Sequence, residues 1–432
     1  MSEVFSDWAK DNGVPLLSLC PDTSVVDDLE AISASVGDAQ VVGLSEGCHN
    51  SSEMMTIHHR IAKYLVENKG FTVIATESGL PESRLVSDYV QNKDMGDMDR
   101  NKMYREGLNK MYSEWREGRD LIEWMKSYNA IHDNRLHYYG VDIGGFYANW
   151  RRPLEQVISY LHQVDKEYAV VLAEQLEPFL AVMTENARIN YKEKLSALEK
   201  AKLAILLDEA VEHFNKHQEI FVEKSSTDDF QWARQGMISM QLAGNYYRNC
   251  DSIRDNLPGH SEYSGLNGRE IAMHRNLMWI LETHKYKFPG QEVKIIWINH
   301  VIHTKTETQY QDHTWGHFTP AGQMIRQSLG PEKVFIIGLL YGGGEYWKDW
   351  QKVDKRSIAP IQPSKENGLE KVMGGLGLPQ CYIPWAQIPP ATGLTFLTSE
   401  FTMRENDYFI KLRPREWDAV IYLDKVSPAT PF

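Results

Sequence analysis

Two glutamates and a histidine follow short apolar segments near the start of the chain. The segments 40–46 (Gln-Val-Val-Gly-Leu-Ser-Glu) and 71–77 (Phe-Thr-Val-Ile-Ala-Thr-Glu) both end on glutamate. They are typical of buried strands, and in parallel α/β sheets ligands bind outside the carboxyl ends of the strands. Burial of a carboxylate costs free energy unless it has a partner, so Glu46 and Glu77 are candidate functional groups. His49 follows Glu46 by three residues, and such a pair can transfer protons near neutral pH.

A second pair of histidines closes another apolar segment. His300 and His303 follow the strand candidate Val293–Asn299. A spacing of three residues places both on one side of a helical turn, as in several kinds of metal site. Two interpretations remain open at this point. The histidines form a metal site with His49 and the two glutamates, or a metal-free acid–base cluster in which carboxylates orient the imidazoles.

The same region contains a short match to a hydrolase motif. Residues 43–47 read Gly-Leu-Ser-Glu-Gly, which satisfies the G-x-S-x-G pattern of a nucleophilic serine between a strand and a helix. So short a pattern arises often by chance, and nothing downstream marks the acid and histidine that Ser45 would need. We interpret Ser45 as incidental and Cys48 as a small buried residue, the commoner use of a free cysteine.

Composition excludes several classes of protein. A formal net charge of −13 over 432 residues disfavours nucleic acid and anionic membranes as partners. No apolar run approaches the roughly 18 residues of a membrane span, and the first residues lack the pattern of a signal peptide. The four cysteines have no metal-like spacing. We therefore expect a cytoplasmic protein that acts on a small molecule; the sequence does not indicate its oligomeric state.

Strand and helix candidates alternate along most of the chain. A helix predicted over residues 51–66 joins the first two strands, which gives a right-handed parallel βαβ unit. Further strand candidates are Leu136–Ile143, Val293–Asn299, Lys333–Leu340, Tyr408–Leu412 and Ala419–Leu423. These features predict an α/β fold.

The segment between residues 150 and 250 has helical character instead. An amphipathic stripe predicts a helix packed over the sheet; its members are Leu203, Leu206, Leu207, Ala210, Val211 and Phe214. Gly342–Gly344 is interpreted as a close-approach turn, and Pro360–Gly377 as surface loops.

Several of these motifs also resemble one family. Residues 43–49 (Gly-Leu-Ser-Glu-Gly-Cys-His) look like the Gly-Leu-Gly-Glu-Ala-Thr-His-Gly signature of the erythromycin esterase family. Further similar segments follow in the family's order over nearly the whole chain: Thr76–Ser78, Tyr139–Asp142, Arg269 with Glu270 in place of an aspartate, His300–His303 for His-Asn-Ala-His, and Trp417–Ile421.

The resemblance implies a fold, an activity and a set of site residues. The expected fold is a three-layer α/β/α core, formed by residues 1–149 and 290–432, with a mainly parallel or mixed sheet. A helical insertion, residues 150–289, would cover the cleft. Family members hydrolyse the lactone ester of macrolides with water rather than through a serine ester, and metal-free catalysis is the favoured account. The resemblance thus implies no cofactor and no metal. It places catalysis on Glu46, His49, Glu77, Arg269, His300 and His303, and substrate binding on His58, Asn50 and Asp142.

Besides Glu270 and the altered His300–His303 motif, two positions depart from the family pattern. Asn50 replaces the glycine after the signature histidine, and His58 stands where the family usually has an arginine. Loss of a fixed donor to a developing oxyanion typically costs about 10²–10³ in rate. Either His58 or Arg269 compensates, or the reaction has changed.

The expected mechanism is hydrolysis in which His49, oriented by Glu46 or Glu77, takes a proton from water. Arg269 and a histidine of the second pair would stabilise the oxyanion. Two alternatives remain: an acid–base enzyme of natural-product metabolism that performs elimination, cyclisation or amide chemistry, and a small-molecule binding protein without catalysis.

Overall fold

A computed structural model describes residues 3–133, 135–145, 150–184, 187–249, 266–308, 318–349, 355–405 and 408–432. Its strands are β1 Val14–Pro15, β2 Val41–Glu46, β3 Val73–Gly79, β4 His137–Asp142, β5 Ile295–His300, β6 Val334–Lys348, β7 Ser357–Pro360, β8 Gln380–Ile383, β9 Phe401–Glu405, β10 Tyr408–Leu412 and β11 Ala419–Val426. Its α-helices are α1 Glu3–Asn12, α2 Asp27–Val36, α3 Ser52–Lys69, α4 Arg84–Val90, α5 Arg100–Gly107, α6 Lys110–Ser113, α7 Arg116–Ile131, α8 Arg151–Val164, α9 Lys166–Val182, α10 Ala187–Lys194, α11 Ala197–Lys216, α12 Gln218–Lys224, α13 Thr227–Asn249, α14 Asn267–Lys287, α15 Val301–Thr304, α16 Ala321–Leu329, α17 Leu369–Gly374 and α18 Pro390–Thr398.

One large sheet organises these elements. Its strands run in the order β1-β8-β11-β6-β2-β5-β3-β4, and β7 pairs with the C-terminal end of β6. The six strands from β11 to β4 are parallel to one another, whereas β8 runs antiparallel to β11 and β1 antiparallel to β8. The predicted α/β fold with a mainly parallel, mixed sheet is therefore confirmed.

Helices cover both faces of this sheet because successive strand residues point to opposite faces. In β5, Ile296 and Ile298 pack in a core with Ile61 of α3. Ile295 and Trp297 belong to a second core, which includes residues of α14. Two separate cores on either side of one sheet give the three-layer arrangement that the resemblance implies.

A third core lies within helices α8 to α13. The stripe predicted on α11 contributes to it: five of its members are buried and Val211 is half-buried. Helix α14, which the predicted insertion 150–289 includes, instead packs Met273 and Leu277 against the core of the sheet. The exact bounds of the predicted domains stay a prediction.

Three local interpretations of the sequence differ from the structure. Gly342–Gly344 lies inside β6 rather than in a turn, because a side chain at Gly342 or Gly344 would overlap the neighbouring strand β11. The segment Pro360–Gly377 contains a helix, α17, because Leu369 and Met373 reach the core. Strand β10 exists with its predicted bounds, but it pairs with β9 in a separate two-stranded sheet.

Among the described residues, no helix combines the length and the apolar character that crossing a bilayer requires.

The contact between α16 and α15 leads to a test of the packing. A Cβ atom on Gly322 would overlap the backbone carbonyl of Thr304, the residue after His303. Alanine for glycine in a helix ordinarily stabilises by roughly 0.5–1 kcal/mol. Here we expect Gly322→Ala to lower the free energy of unfolding by about 1–3 kcal/mol, because backbone must move.

Chemical denaturation measures this change. Gly343→Ala is the matched control, since a Cβ atom there meets nothing within 4 Å. Equal stability of the two variants would show that α16 has room to shift.

Candidate active site

The register of the sheet gathers the predicted acidic and histidine residues at one edge. Strands β2, β5, β3 and β4 are neighbours and parallel, so their carboxyl ends lie side by side. Glu46 of β2 pairs directly with His300 of β5, and Gly79 of β3 pairs with Asp142 of β4. Glu77 precedes Gly79 by two residues on β3. The order of the strands thus brings together residues that are far apart in the sequence.

The turn after β2 folds His49 back onto Glu46. Nδ1 of His49 lies 2.6 Å from Oε1 of Glu46. Asn50 follows with φ of +60°, a left-handed conformation that asparagine adopts more readily than most residues. Its carbonyl accepts a hydrogen bond from the backbone N–H of Ala429 at 2.8 Å. Ser51 then caps α3, so the turn is held on both sides.

The charge of Glu46 determines the protonation of His49. Burial by itself lowers the pKa of His49, but the charge of Glu46 and the hydrogen bond to it outweigh burial, and Glu77 adds to their effect. The pKa of His49 is therefore raised above its ordinary value. The imidazole is 11% exposed, whereas Glu46 is 3% exposed. A ligand can thus reach the ring while the carboxylate stays shielded.

His300 lies beside His49, with ring centroids 4.3 Å apart. Its backbone N–H donates to Oε2 of Glu77 at 3.1 Å, which joins β5 to β3 beyond the last strand pairing. Burial, and next the nearby charge of His49, lower the pKa of His300 well below its ordinary value. His300 is therefore neutral near pH 7.

The single-turn helix α15 carries His303 away from His300 and into a buried ion network. Nε2 of His303 accepts from Arg269 at 3.0 Å, so Nδ1 carries the proton and donates to Glu270 at 2.5 Å. Burial, followed by the charge of Arg269, lowers the pKa of His303 to about 3. This imidazole is a neutral link between α15 and the first turn of α14.

Arg269 is the buried cation of this network. Its Nε and Nη2 donate to the two carboxylate oxygens of Asp142, at 3.0 and 2.6 Å. Nη2 also donates to Glu77 at 2.6 Å, and Nη1 donates to His303. All three nitrogens are thus engaged with groups that are almost fully buried. In this arrangement Arg269 holds the ends of β3 and β4 to α15.

His58 takes no part in this ion network. Its Nε2 donates to the backbone carbonyl of Ser45 at 3.2 Å, and burial lowers its pKa to about 4. A neutral imidazole therefore occupies the position where the resemblance expects an arginine. The hydroxyl of Ser45 is fully buried and lies 2.6 Å from that of Thr304, and Cys48 is also fully buried.

Three of the predicted residues have the geometry of a possible metal site. Ligand atoms of Glu46, His49 and Glu77 all lie within 4.8 Å of one another. Two carboxylates and an imidazole would suit a divalent cation such as zinc or manganese. The same three groups also form an acid–base cluster, so both chemistries left open by the sequence fit this arrangement.

Two further residues, which the sequence reasoning did not name, lie near the site. Burial raises the pKa of Glu82 to about 7, and its Oε1 accepts from the N–H of Gly145 at 2.6 Å. Tyr112 is buried, and the charges of Glu46 and Glu77 act on its hydroxyl. Glu82 follows the end of β3 by three residues, a placement that could have signalled it, whereas Tyr112 lies on the four-residue helix α6 and stands in no motif.

Comparison with known proteins places the chain in a family. The family profile "Erythromycin esterase" matches residues 66–426. Erythromycin esterase type II of Escherichia coli is 22% identical over 404 residues, which covers 89% of this chain and 90% of that protein. The chain is similar in fold to a crystal structure of a Bacillus cereus protein, with a TM-score of 0.78, 21% identity and coverage of 99% and 98% of the two chains. It is also similar to a mutant of erythromycin esterase EreC in its open conformation, with a TM-score of 0.74, 17% identity and coverage of 97% and 98%. Since the profile spans most of the chain, the protein belongs to the erythromycin esterase family.

Proposed function

We propose that this protein hydrolyses an ester or lactone with water activated by His49. The observation that carries the proposal is the 2.6 Å contact between His49 and Glu46, on a ring that is partly exposed. Membership of a family named for an esterase supports the hydrolytic reaction. The name of the Escherichia coli relative supports a macrolide lactone as the first substrate class to test.

His49 acts as the general base in this proposal. Its Nδ1–H donates to Glu46, so Nε2 is the ring nitrogen that accepts a proton from water in this reaction. The charges that raise the pKa of His49 stabilise the imidazolium that forms as water attacks the carbonyl carbon. His49 then returns the proton to the leaving alkoxide. The products are a carboxylic acid and an alcohol.

The other predicted residues position this base and the substrate. Neutral His300 faces the ring of His49 and is the nearest imidazole that can polarise a carbonyl. Arg269 was expected to contact the oxyanion, but its engagement with Asp142, Glu77 and His303 fits a positioning role better. Asn50 and Asp142 belong to the predicted substrate-binding set; in our proposal Asn50 contacts the substrate, whereas Asp142 anchors Arg269.

A second candidate is acid–base chemistry without hydrolysis, such as elimination, cyclisation or amide chemistry on a natural product. The placement of His58 favours it, because a neutral, backbone-bonded imidazole replaces the expected cation. A reaction in which less charge develops on oxygen would have less need of that cation. A small-molecule binding protein without catalysis would use the same pocket but form no product.

Product analysis separates these candidates. We expect the wild-type protein to add one water to a member of a panel of macrolactones and simple esters, as measured by mass spectrometry. His49→Ala should lower kcat/KM by about 10²–10⁴, the usual contribution of a general base. Ser45→Ala, the control for a serine mechanism, should keep its rate within a few-fold. A product isomeric with its substrate would favour the second candidate, and the absence of any product would contradict hydrolysis of this panel.

The pH profile tests the role of Glu46. A general base must be unprotonated, so kcat/KM should rise with pH through the pKa of His49, which Glu46 raises above the ordinary value near 6.5. Glu46→Gln removes the charge but keeps the shape, so it should move the inflection to lower pH and reduce the plateau. An unmoved inflection would show that another group titrates.

Removal of metal tests the alternative for the same three residues. We expect dialysis against EDTA to leave kcat/KM unchanged, because the proposed base is an imidazole polarised by a carboxylate. Loss of activity that returns with a divalent cation would instead show that Glu46, His49 and Glu77 hold an ion.

A further inference from the structure

The proposed hydrolysis has so far assigned one donor to the oxyanion, the neutral imidazole of His300. When water attacks a carbonyl, negative charge develops on the carbonyl oxygen, and active sites place hydrogen-bond donors there. The nitrogens of Arg269 already donate to two carboxylates and His303. The donating nitrogen of His58 is bound to the carbonyl of Ser45. Neither of the residues expected to compensate for the missing arginine therefore has its donor directed to a substrate.

Tyr112 lies on a short helix that is fixed to the end of β3. The backbone N–H of Asn109 donates to the hydroxyl of Ser78 at 3.1 Å, and Ser78 directly follows Glu77. The side chain of Asn109 then caps α6 through the N–H of Met111 at 3.2 Å. Strand β3 thus fixes the helix that carries Tyr112 close to the Glu77 carboxylate.

The backbone of Tyr112 also lies directly against α7. A Cβ atom on Gly118, in the first turn of α7, would lie 2.5 Å from the carbonyl oxygen of Tyr112 and 2.8 Å from its Cα. This close approach requires glycine and holds Tyr112 against α7. A hydroxyl on a fixed ring is the kind of preorganised group that electrostatic catalysis requires.

The hydroxyl of Tyr112 is buried but unsatisfied. The residue is 5% exposed, and within the described part of the chain its hydroxyl proton has no acceptor, although the backbone N–H of Glu77 lies close enough to the phenol oxygen to act on its pKa. Such a group typically costs about 1–3 kcal/mol, and native proteins seldom leave one without a role. Burial, and next the charges of Glu46 and Glu77, raise the pKa of Tyr112 well above its ordinary value. The phenol therefore stays protonated, and it can gain a hydrogen bond by donating that proton to an acceptor.

Asn50 adds a second observation of the same kind. It is 1% exposed, and both polar atoms of its amide are without partners among the described residues. It directly follows His49 in the sequence, and the Tyr112 hydroxyl feels the charges of Glu46 and Glu77, so two separate parts of the fold bring unsatisfied polar groups to this region. A cluster of this kind is expected where a polar ligand completes the hydrogen bonds.

We propose that Tyr112 is a further catalytic residue, which donates a hydrogen bond from its phenol to the carbonyl oxygen of the substrate. The inference rests on the proposed hydrolysis. Water forms the new C–O bond while the carbonyl π pair moves onto oxygen, and His49 takes the proton of the water. Tyr112 stabilises the oxyanion but keeps its own proton. When the C=O bond re-forms, the bond to the leaving oxygen breaks and His49 protonates that oxygen.

Tyr112→Phe tests this role, because it removes only the hydroxyl. On a substrate that the wild type hydrolyses, we expect kcat to fall by about 10²–10³ with little change in KM. The inflection of the pH profile should stay in place, unlike that of Glu46→Gln. The melting temperature should be unchanged or higher, because the lost hydroxyl proton had no acceptor among the described residues. A wild-type kcat in a folded Tyr112→Phe variant would overturn the proposal.

Tyr382→Phe is the matched control. Tyr382 lies on β8, three places from β2 in the order of the strands. Its hydroxyl is also buried and its proton has no acceptor among the described residues, although the side chain of Ser35 lies close enough to act on its pKa. The Tyr382→Phe variant should show a similar change in melting temperature and a wild-type kcat. A similar loss of rate in both variants would indicate a general effect of buried hydroxyls and contradict a catalytic role for Tyr112.

A binding measurement separates failure of this inference from failure of the proposed function. The probe is a trifluoromethyl ketone whose hydrate mimics the tetrahedral species, titrated into each variant and followed by ¹⁹F NMR. If the wild type hydrolyses no ester, weaker binding to Tyr112→Phe by about 10-fold, with no change for Tyr382→Phe, would still support the donor. Equal binding to all variants, or no binding to the wild type, would overturn it.

Discussion

The buried guanidinium of Arg269 is the interaction on which the rest of the site depends. Asp142 and Glu77 come from adjacent strands, and both lie within hydrogen-bond distance of Arg269. Two carboxylates at so short a distance repel each other unless a cation lies between them. Arg269 supplies that cation from the start of α14. Arg269 also donates to His303, which extends the same network to α15 and therefore to the strand that presents His300. The position of His300 beside His49 is thus a consequence of charge balance several residues away.

Charge balance also limits what the cleft can hold. The single positive charge of Arg269 offsets only one of the two negative charges of Asp142 and Glu77. Glu46 adds a further negative charge beside the partly exposed ring of His49. The surroundings of His49 are therefore negative on balance, which explains why its pKa is raised while those of buried His300 and His303 are lowered. Under the proposed reaction, a neutral ester enters these surroundings and an anionic acid leaves them. The same charges that strengthen the base would then promote departure of the product.

The sequence predicted the parts of this arrangement that follow from strand periodicity. Glu46, Asp142 and His300 each end a strand, and Glu77 lies two residues before the end of β3. A parallel sheet must gather such residues at one edge. It could not predict the contacts that helices supply. The commitment of Arg269 depends on how α14 packs against β4, and Tyr112 reaches the site from a four-residue helix without any motif. Gly342–Gly344 was misjudged for a related reason: a glycine that permits close packing of two strands looks the same in sequence as one that permits a turn.

The hydrogen bond between Ala429 and Asn50 has a consequence for how the site forms. It joins residues that are separated by almost the whole chain, and closing so long a loop is entropically unfavourable until the intervening structure has formed. The turn that carries His49 gains this support only after β11 has added to the sheet beside β6. The turn that carries His49, the base in our proposal, is therefore expected to assemble late in folding. Partly folded chains would contain most of the helices and strands while lacking a competent base.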